Sequence, residues 1–190
     1  MLPEVRGNPY DARSAPRHPP GRRPAGTLPR MSRADTIRDD ASGLRIALLV
    51  SRYHDEITTP LDEGARAAFR AAGGDESMLE IFDCPGAFEL AGLAGVAVAT
   101  GRFDAVVCLG CVVRGETTHD AWINGAVAGE LAALSARQGV PVAFGLLTVN
   151  DLDQARARAG GAKGNKGEES MQAAIAAARV AARIREGAAS

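Results

Sequence analysis

The chain has 190 residues, a net charge of -1 at pH 7 and 46% apolar residues. That is enough for one domain with its own core, without the basic excess that a nucleic-acid or acidic-membrane partner calls for. Only 4% of residues are aromatic, so Ala, Val, Leu and Ile must build the core. No apolar run reaches the roughly 18 residues of a membrane-spanning helix, and no apolar h-region marks a secretory signal. Three cysteines suit a reducing cytoplasm better than a disulfide framework.

Residues 1–42 hold seven of the ten prolines and eight arginines. Such a segment cannot bury enough surface to offset its chain entropy, so a disordered Arg/Pro-rich extension is expected, with Met31 as a second candidate start. The α/β domain is expected over 43–190. LRIALLV (44–50) is a continuous apolar run, as in a strand covered on both faces. Thr59-Pro60 reads as N-cap and first residue of a helix with Asp62 and Glu63 in its first turn, ending at Gly73-Gly74. MLEIF (78–82) is a second strand, Pro85-Gly86 a turn, and 87–100 a helix of small residues. FDAVVCLG (103–110) is a third strand, and a helix over 120–137 closes at Gly139 and Pro141. VAFGLLT (142–148) is a fourth strand. A short helix starts at Asp151, and a last helix runs over 168–185.

Strand and helix alternate four times with short joints, the pattern of a parallel sheet with helices on both faces. Ligands in such sheets bind outside the carboxyl ends of the strands. No joint there holds GxGxxG or GxxxxGK[ST], which speaks against a dinucleotide or P-loop site. Instead Gly115-Glu116-Thr117-Thr118-His119 joins a buried strand to a helix. Free N–H groups at a helix start attract anions, and His119 beside them would move protons near neutral pH or simply cap the helix. Glu89 would serve the helix dipole or accept hydrogen bonds from a polyol or amine. Tyr53 and Phe88 would stack on a flat heterocycle or pack on neighbours. Cys108 and Cys111 match CxxC spacing, but residues three apart on a strand face opposite sides, against a redox or metal pair. GAKGNKG (161–167) reads as a hinge or an anion-contacting turn. Arg158 upstream is a guanidinium able to grip phosphate or a plain helix charge.

PGAFEL, LGCVVRGETTH, PVAFGLLT and RAGGAKGNKG, in this order and spacing, resemble the 6,7-dimethyl-8-ribityllumazine synthase family over about residues 44–185. The resemblance implies a flavodoxin-like three-layer αβα sandwich with a four-stranded parallel sheet. It implies condensation of 5-amino-6-(D-ribitylamino)uracil with L-3,4-dihydroxy-2-butanone 4-phosphate, in riboflavin biosynthesis, with no cofactor or metal. By the same resemblance Tyr53 stacks on the pyrimidine; Ala87, Phe88 and Glu89 hold the ribityl chain and ring edge; and Cys111, Val112 and Val113 line the pyrimidine through their backbone. Glu116 and Thr117 offer N–H groups to the phosphate, Arg158 pairs with it and Lys166 sits near it. Phe144 completes the site across a subunit boundary, and His119 transfers protons.

The family further implies a homo-pentamer, with an icosahedral 60-mer shell permitted by the short RAGGAKGNKG joint, and riboflavin synthase as a candidate partner. Several positions depart from its pattern. Tyr53 stands where Phe or Trp is usual, His54 where Asn is common, Cys84 where a larger residue is common, and Gly125-Ala126 at an Asn-Glu place. The alternative function is a flavin- or lumazine-binding, or shell-forming, protein of the same fold without turnover. A riboflavin synthase of the same fold is a nearer rival.

Overall fold

The computed structural model describes residues 40–188. Four strands, β1 (Ile46–Ser51), β2 (Leu79–Cys84), β3 (Ala105–Val113) and β4 (Val142–Val149), form one parallel sheet in the order β2-β1-β3-β4. The connecting helices are α1 (Asp55–Ala71), α2 (Glu89–Ala99), α3 (His119–Gln138) and α4 (Leu152–Arg158). A two-stranded hairpin of β5 (Ala159–Gly161) and β6 (Gly164–Asn165) then leads into α5 (Lys166–Ala188). This is the expected flavodoxin-like sandwich of helix, sheet and helix layers.

Side-chain alternation along the two central strands splits the core in two. Ile46, Leu48, Val50, Val107 and Leu109 pack with Leu61 and Phe69 of α1 and Met171 and Ile175 of α5. Ala47, Leu49, Val106 and Cys108 pack with Leu90 and Ala94 of α2 and Val127 and Leu131 of α3. Burying one such large side chain contributes roughly 1.5–3 kcal/mol, which is why β1 and β3 read as unbroken apolar runs. Cys108 and Cys111 fall in opposite halves of the core, as their strand spacing requires.

The structure corrects several boundaries. α1 starts at Asp55, capped by His54, not at Thr59-Pro60; Pro60 lies inside it. Ile57 and Thr58 are buried, so packing of the extra turn outweighs the hydrogen bond that proline cannot give to Glu56. The end of α1 is as expected: Gly73 has φ +80°, and the N–H groups of Gly73 and Gly74 donate to Arg70 and Phe69 carbonyls at 2.9 and 3.0 Å, closing a Schellman motif. β3 runs on to Val113 because Gly110, Cys111, Val112 and Val113 pair with Leu146–Val149 of β4. The GAKGNKG segment is an ordered turn rather than a hinge. It forms the β5–β6 hairpin, and Asn165 Oδ1 accepts from the N–H groups of Gly167 and Glu168 at 2.8 and 3.3 Å, capping α5.

The expected extension over 1–42 lies outside the described residues except at its end. There Ala41 is fully buried, its N–H donates to the Ala72 carbonyl, and Arg179 donates to the carbonyls of Asp40 and Ser42.

Candidate active site

The chain adds β2 on one side of β1 and β3 on the other, so the loops leaving β1 and β3 diverge and open a crevice at the carboxyl edge of the sheet. A cleft of about 410 Å³ occupies that position. Tyr53 and His54, after β1, form one wall. Gly86, Ala87, Phe88 and Glu89, after β2, form another. Cys111, Val112 and Val113 at the end of β3, with Gly115 and Thr117, form the floor and rim, and His119, Asp120 and Ile123 of α3 close the remaining side.

The walls offer distinct chemistries. Tyr53 is 77% exposed and Phe88 59%, so neither ring is covered by the chain itself and both are available for stacking. The His54 ring stands edge-on to Tyr53, centroids 5.0 Å apart and planes at 88°. A Cβ on Gly86 would lie 2.7 Å from Glu89 Oε2, so the glycine leaves room for that carboxylate to sit against the loop. The floor is apolar, and the thiols do not act as ions there: burial pushes Cys84 and Cys111 each up to about 11, and pushes buried Cys108 up as well.

His119 is the first residue of α3, and its backbone N–H donates to Thr117 Oγ1 at 3.4 Å. Its imidazole is exposed and makes no hydrogen bond among the described residues. The backbone N–H groups of Glu116 and Thr117 likewise have no partner among the described residues. An imidazole beside open N–H groups at a helix start is an arrangement for handling protons next to an anion. Among the described residues, no group of three or more His, Cys, Asp or Glu could hold a metal ion, and no helix is long and apolar enough to cross a membrane.

The model of the family described as 6,7-dimethyl-8-ribityllumazine synthase matches residues 43–182. A protein of that name from Chlorobium chlorochromatii is 44% identical over 135 residues, covering 71% of this chain and 87% of its own. One from Campylobacter curvus is 43% identical over 131 residues, covering 69% and 84%. One from Anaeromyxobacter dehalogenans is 42% identical over 139 residues, covering 73% and 86%. The chain belongs to the 6,7-dimethyl-8-ribityllumazine synthase family.

Of the residues to which the resemblance assigned roles, Tyr53, Ala87, Phe88, Glu89, Cys111, Val112, Val113, Thr117 and His119 line the one cleft. Four do not. Glu116 faces a second hollow of about 370 Å³, with Arg114, Thr118 and Asn150, on the far side of the 115–118 loop; Gly115, Thr117 and Asp120 border both. Phe144 stands half-exposed on edge strand β4. Arg158 ends α4, its Nη1 donating to the Gln154 carbonyl of its own helix at 3.1 Å. Lys166 opens α5, paired with Glu169. Sequence reasoning left out His54, Asp120 and Ile123 as wall residues. Ile123 follows His119 by four residues on α3, a spacing that shares its face, while Asp120 and His54 are the chain neighbours of His119 and Tyr53.

Proposed function

We propose that this protein is a 6,7-dimethyl-8-ribityllumazine synthase, joining 5-amino-6-(D-ribitylamino)uracil to L-3,4-dihydroxy-2-butanone 4-phosphate with release of phosphate and water. The observation that carries the reading is the cleft itself. An open aromatic face, a carboxylate, an apolar strand end and an imidazole beside unpaired N–H groups meet in a chain of this family.

In this reading the pyrimidine stacks on Tyr53, its edge meets the backbone of Cys111–Val113, and Glu89 accepts hydrogen bonds from the ribityl hydroxyls. The phosphate of the second substrate rests on the Glu116 and Thr117 N–H groups. The 5-amino nitrogen adds to the ketone and loses water to give an imine. A C–H proton leaves as the phosphate departs with the C–O electron pair. The enol left behind takes up a proton at C4 and becomes a new carbonyl at C3, and the ribitylamino nitrogen closes the ring on that carbonyl with loss of a second water. His119 accepts and returns protons through these steps, while holding both substrates in one cleft supplies much of the barrier reduction, roughly 7–11 kcal/mol for well-oriented partners.

Phe144, Arg158 and Lys166 serve the cleft of a neighbouring copy in a homo-pentamer, a larger shell being built from the same pentamers. Supporting assembly, the sequence of α2, ELAGLAGVAVA, is apolar on every side and its Leu93 and Val96 are exposed, as is Trp122 on α3; a helix apolar all round calls for cover on all sides. A riboflavin synthase that consumes the product is the candidate partner, in the cytoplasm.

The test is to follow lumazine absorbance with both substrates. His119→Ala should slow turnover on the order of a hundredfold without abolishing it. Arg158→Ala should raise the KM for butanone phosphate to a similar or larger extent, on the order of a hundredfold. No turnover by the unmodified protein, with tight flavin binding instead, would favour the carrier reading.

A further inference from the structure

Tyr53 and Phe88 both line the cleft and are both largely exposed, so their own rings do little to hold the two loops at a fixed separation. At the base of both loops stands Arg52. Its backbone N–H donates to the Cys84 carbonyl at 2.9 Å. Its guanidinium reaches Asp83 Oδ1 with Nε at 2.7 Å and Nη2 at 2.6 Å. The same guanidinium meets Asp55 at 3.5 Å and the buried Asp62 at 3.4 Å, both on α1. Arg66 holds Asp62 from the other side at 2.8 Å.

Arg52 immediately precedes Tyr53, and Asp83 and Cys84 lead directly into the Pro85–Glu89 wall. One planar cation with several fixed donors thus joins the start of one wall to the start of the other and anchors both to α1, a geometry that lysine cannot reproduce. We propose that Arg52 is a positioning residue that sets the spacing between the Tyr53 wall and the Glu89 wall. The heterocycle must fit between those walls, whereas the phosphate loop at 115–118 lies outside the network. The kinetic consequence rests on the lumazine synthase reading; the structural claim does not.

Three variants, Arg52→Gln, Arg52→Lys and Asp83→Asn, separate spacing from general stability. Arg52→Gln should raise the KM for the ribitylamino-pyrimidine about tenfold or more, as sub-ångström misplacement of a bound reactant does, and leave the KM for butanone phosphate nearly unchanged. Arg52→Lys should recover part of the loss. Asp83→Asn, at an exposed carboxylate, should shift the same KM in the same direction, and the Arg52→Gln/Asp83→Asn double variant should be no worse than Arg52→Gln alone.

Hydrogen exchange gives a readout that needs no turnover. Amides of Arg52, Ile57, Thr58 and Leu90, whose N–H groups are hydrogen-bonded at the bases of the two walls, should exchange faster in Arg52→Gln, with those of α5 unchanged. If the exchange changes but the unmodified protein has no activity, the positioning role stands and the enzyme reading falls. Unchanged exchange in both walls, or a parallel rise in both KM values with a matching drop in Tm, would overturn the proposal.

Discussion

Cys111 forms part of the cleft floor yet is 3% exposed. With burial holding its thiol and that of Cys84 near 11, only roughly one in a thousand is ionised at pH 8. Iodoacetamide at pH 8 should therefore label the folded chain far more slowly than the unfolded one, read by mass spectrometry; fast labelling of native Cys111 would show an open floor. The same shift links to stability. The ordinary thiol value is 9.0, so below it both states are protonated and nothing is lost. As pH rises from there towards about 11, the unfolded thiols ionise while the folded ones do not, and stability should fall. Tm measured across that range should decline, and less steeply in Cys111→Ala. At this scale the sequence was informative about type and position: Tyr53, Glu89 and His119 meet in the cleft as the motifs implied. It was silent on Arg52, whose partners Asp55, Asp62 and Asp83 come from two elements up to 31 residues away.

The hairpin and the start of α5 show how one element is fixed by another. Gly167 lies against α1 so closely that an added Cβ would sit 1.9 Å from the Leu61 carbonyl oxygen, a backbone atom that cannot swing aside. Asn165 caps α5 and also donates through Nδ2 to the Pro60 carbonyl at 2.8 Å. Gly167→Ala should thus cost about 3 kcal/mol or more by forcing the two helices apart. Asn165→Ala should cost about 1–2 kcal/mol through loss of the cap. Urea titration distinguishes them, and a Gly167→Ala chain as stable as its parent would contradict the contact. The glycines and the Asn were visible as a turn signal, but the signal names a turn and not its purpose. Here the purpose is close helix approach, which depends on Leu61, some hundred residues earlier. Pro60 misled in the same way: a local rule puts proline at a helix start, while burial of Ile57 and Thr58 adds the turn before it.

For the whole molecule, the proposal above predicts a site divided between chains. His119 belongs to the cleft of its own chain, while Arg158 and Lys166 point elsewhere within that chain. Mixing His119→Ala chains with Arg158→Ala chains under conditions that allow subunits to exchange should restore activity, because some clefts then combine an intact His119 with an intact neighbouring Arg158. No restoration, or a monomeric mass by light scattering, would contradict shared sites.

By itself the sequence determined the fold class. Unbroken apolar runs alternating with small-residue helices can be satisfied only by a parallel sheet buried on both faces, and right-handed crossovers leave few orders for four strands. It determined the cleft's main contributors too, because motif residues sit at strand ends, and strand ends in such sheets converge. Tertiary structure alone decided what depends on distance through space. That includes the order that opens the crevice between β1 and β3, the carboxylates gathered around Arg52, and the seating of Gly167 on α1. Local periodicity reports which face of an element is apolar. It does not report which distant element will cover that face, since that choice is made by the packing of all elements at once.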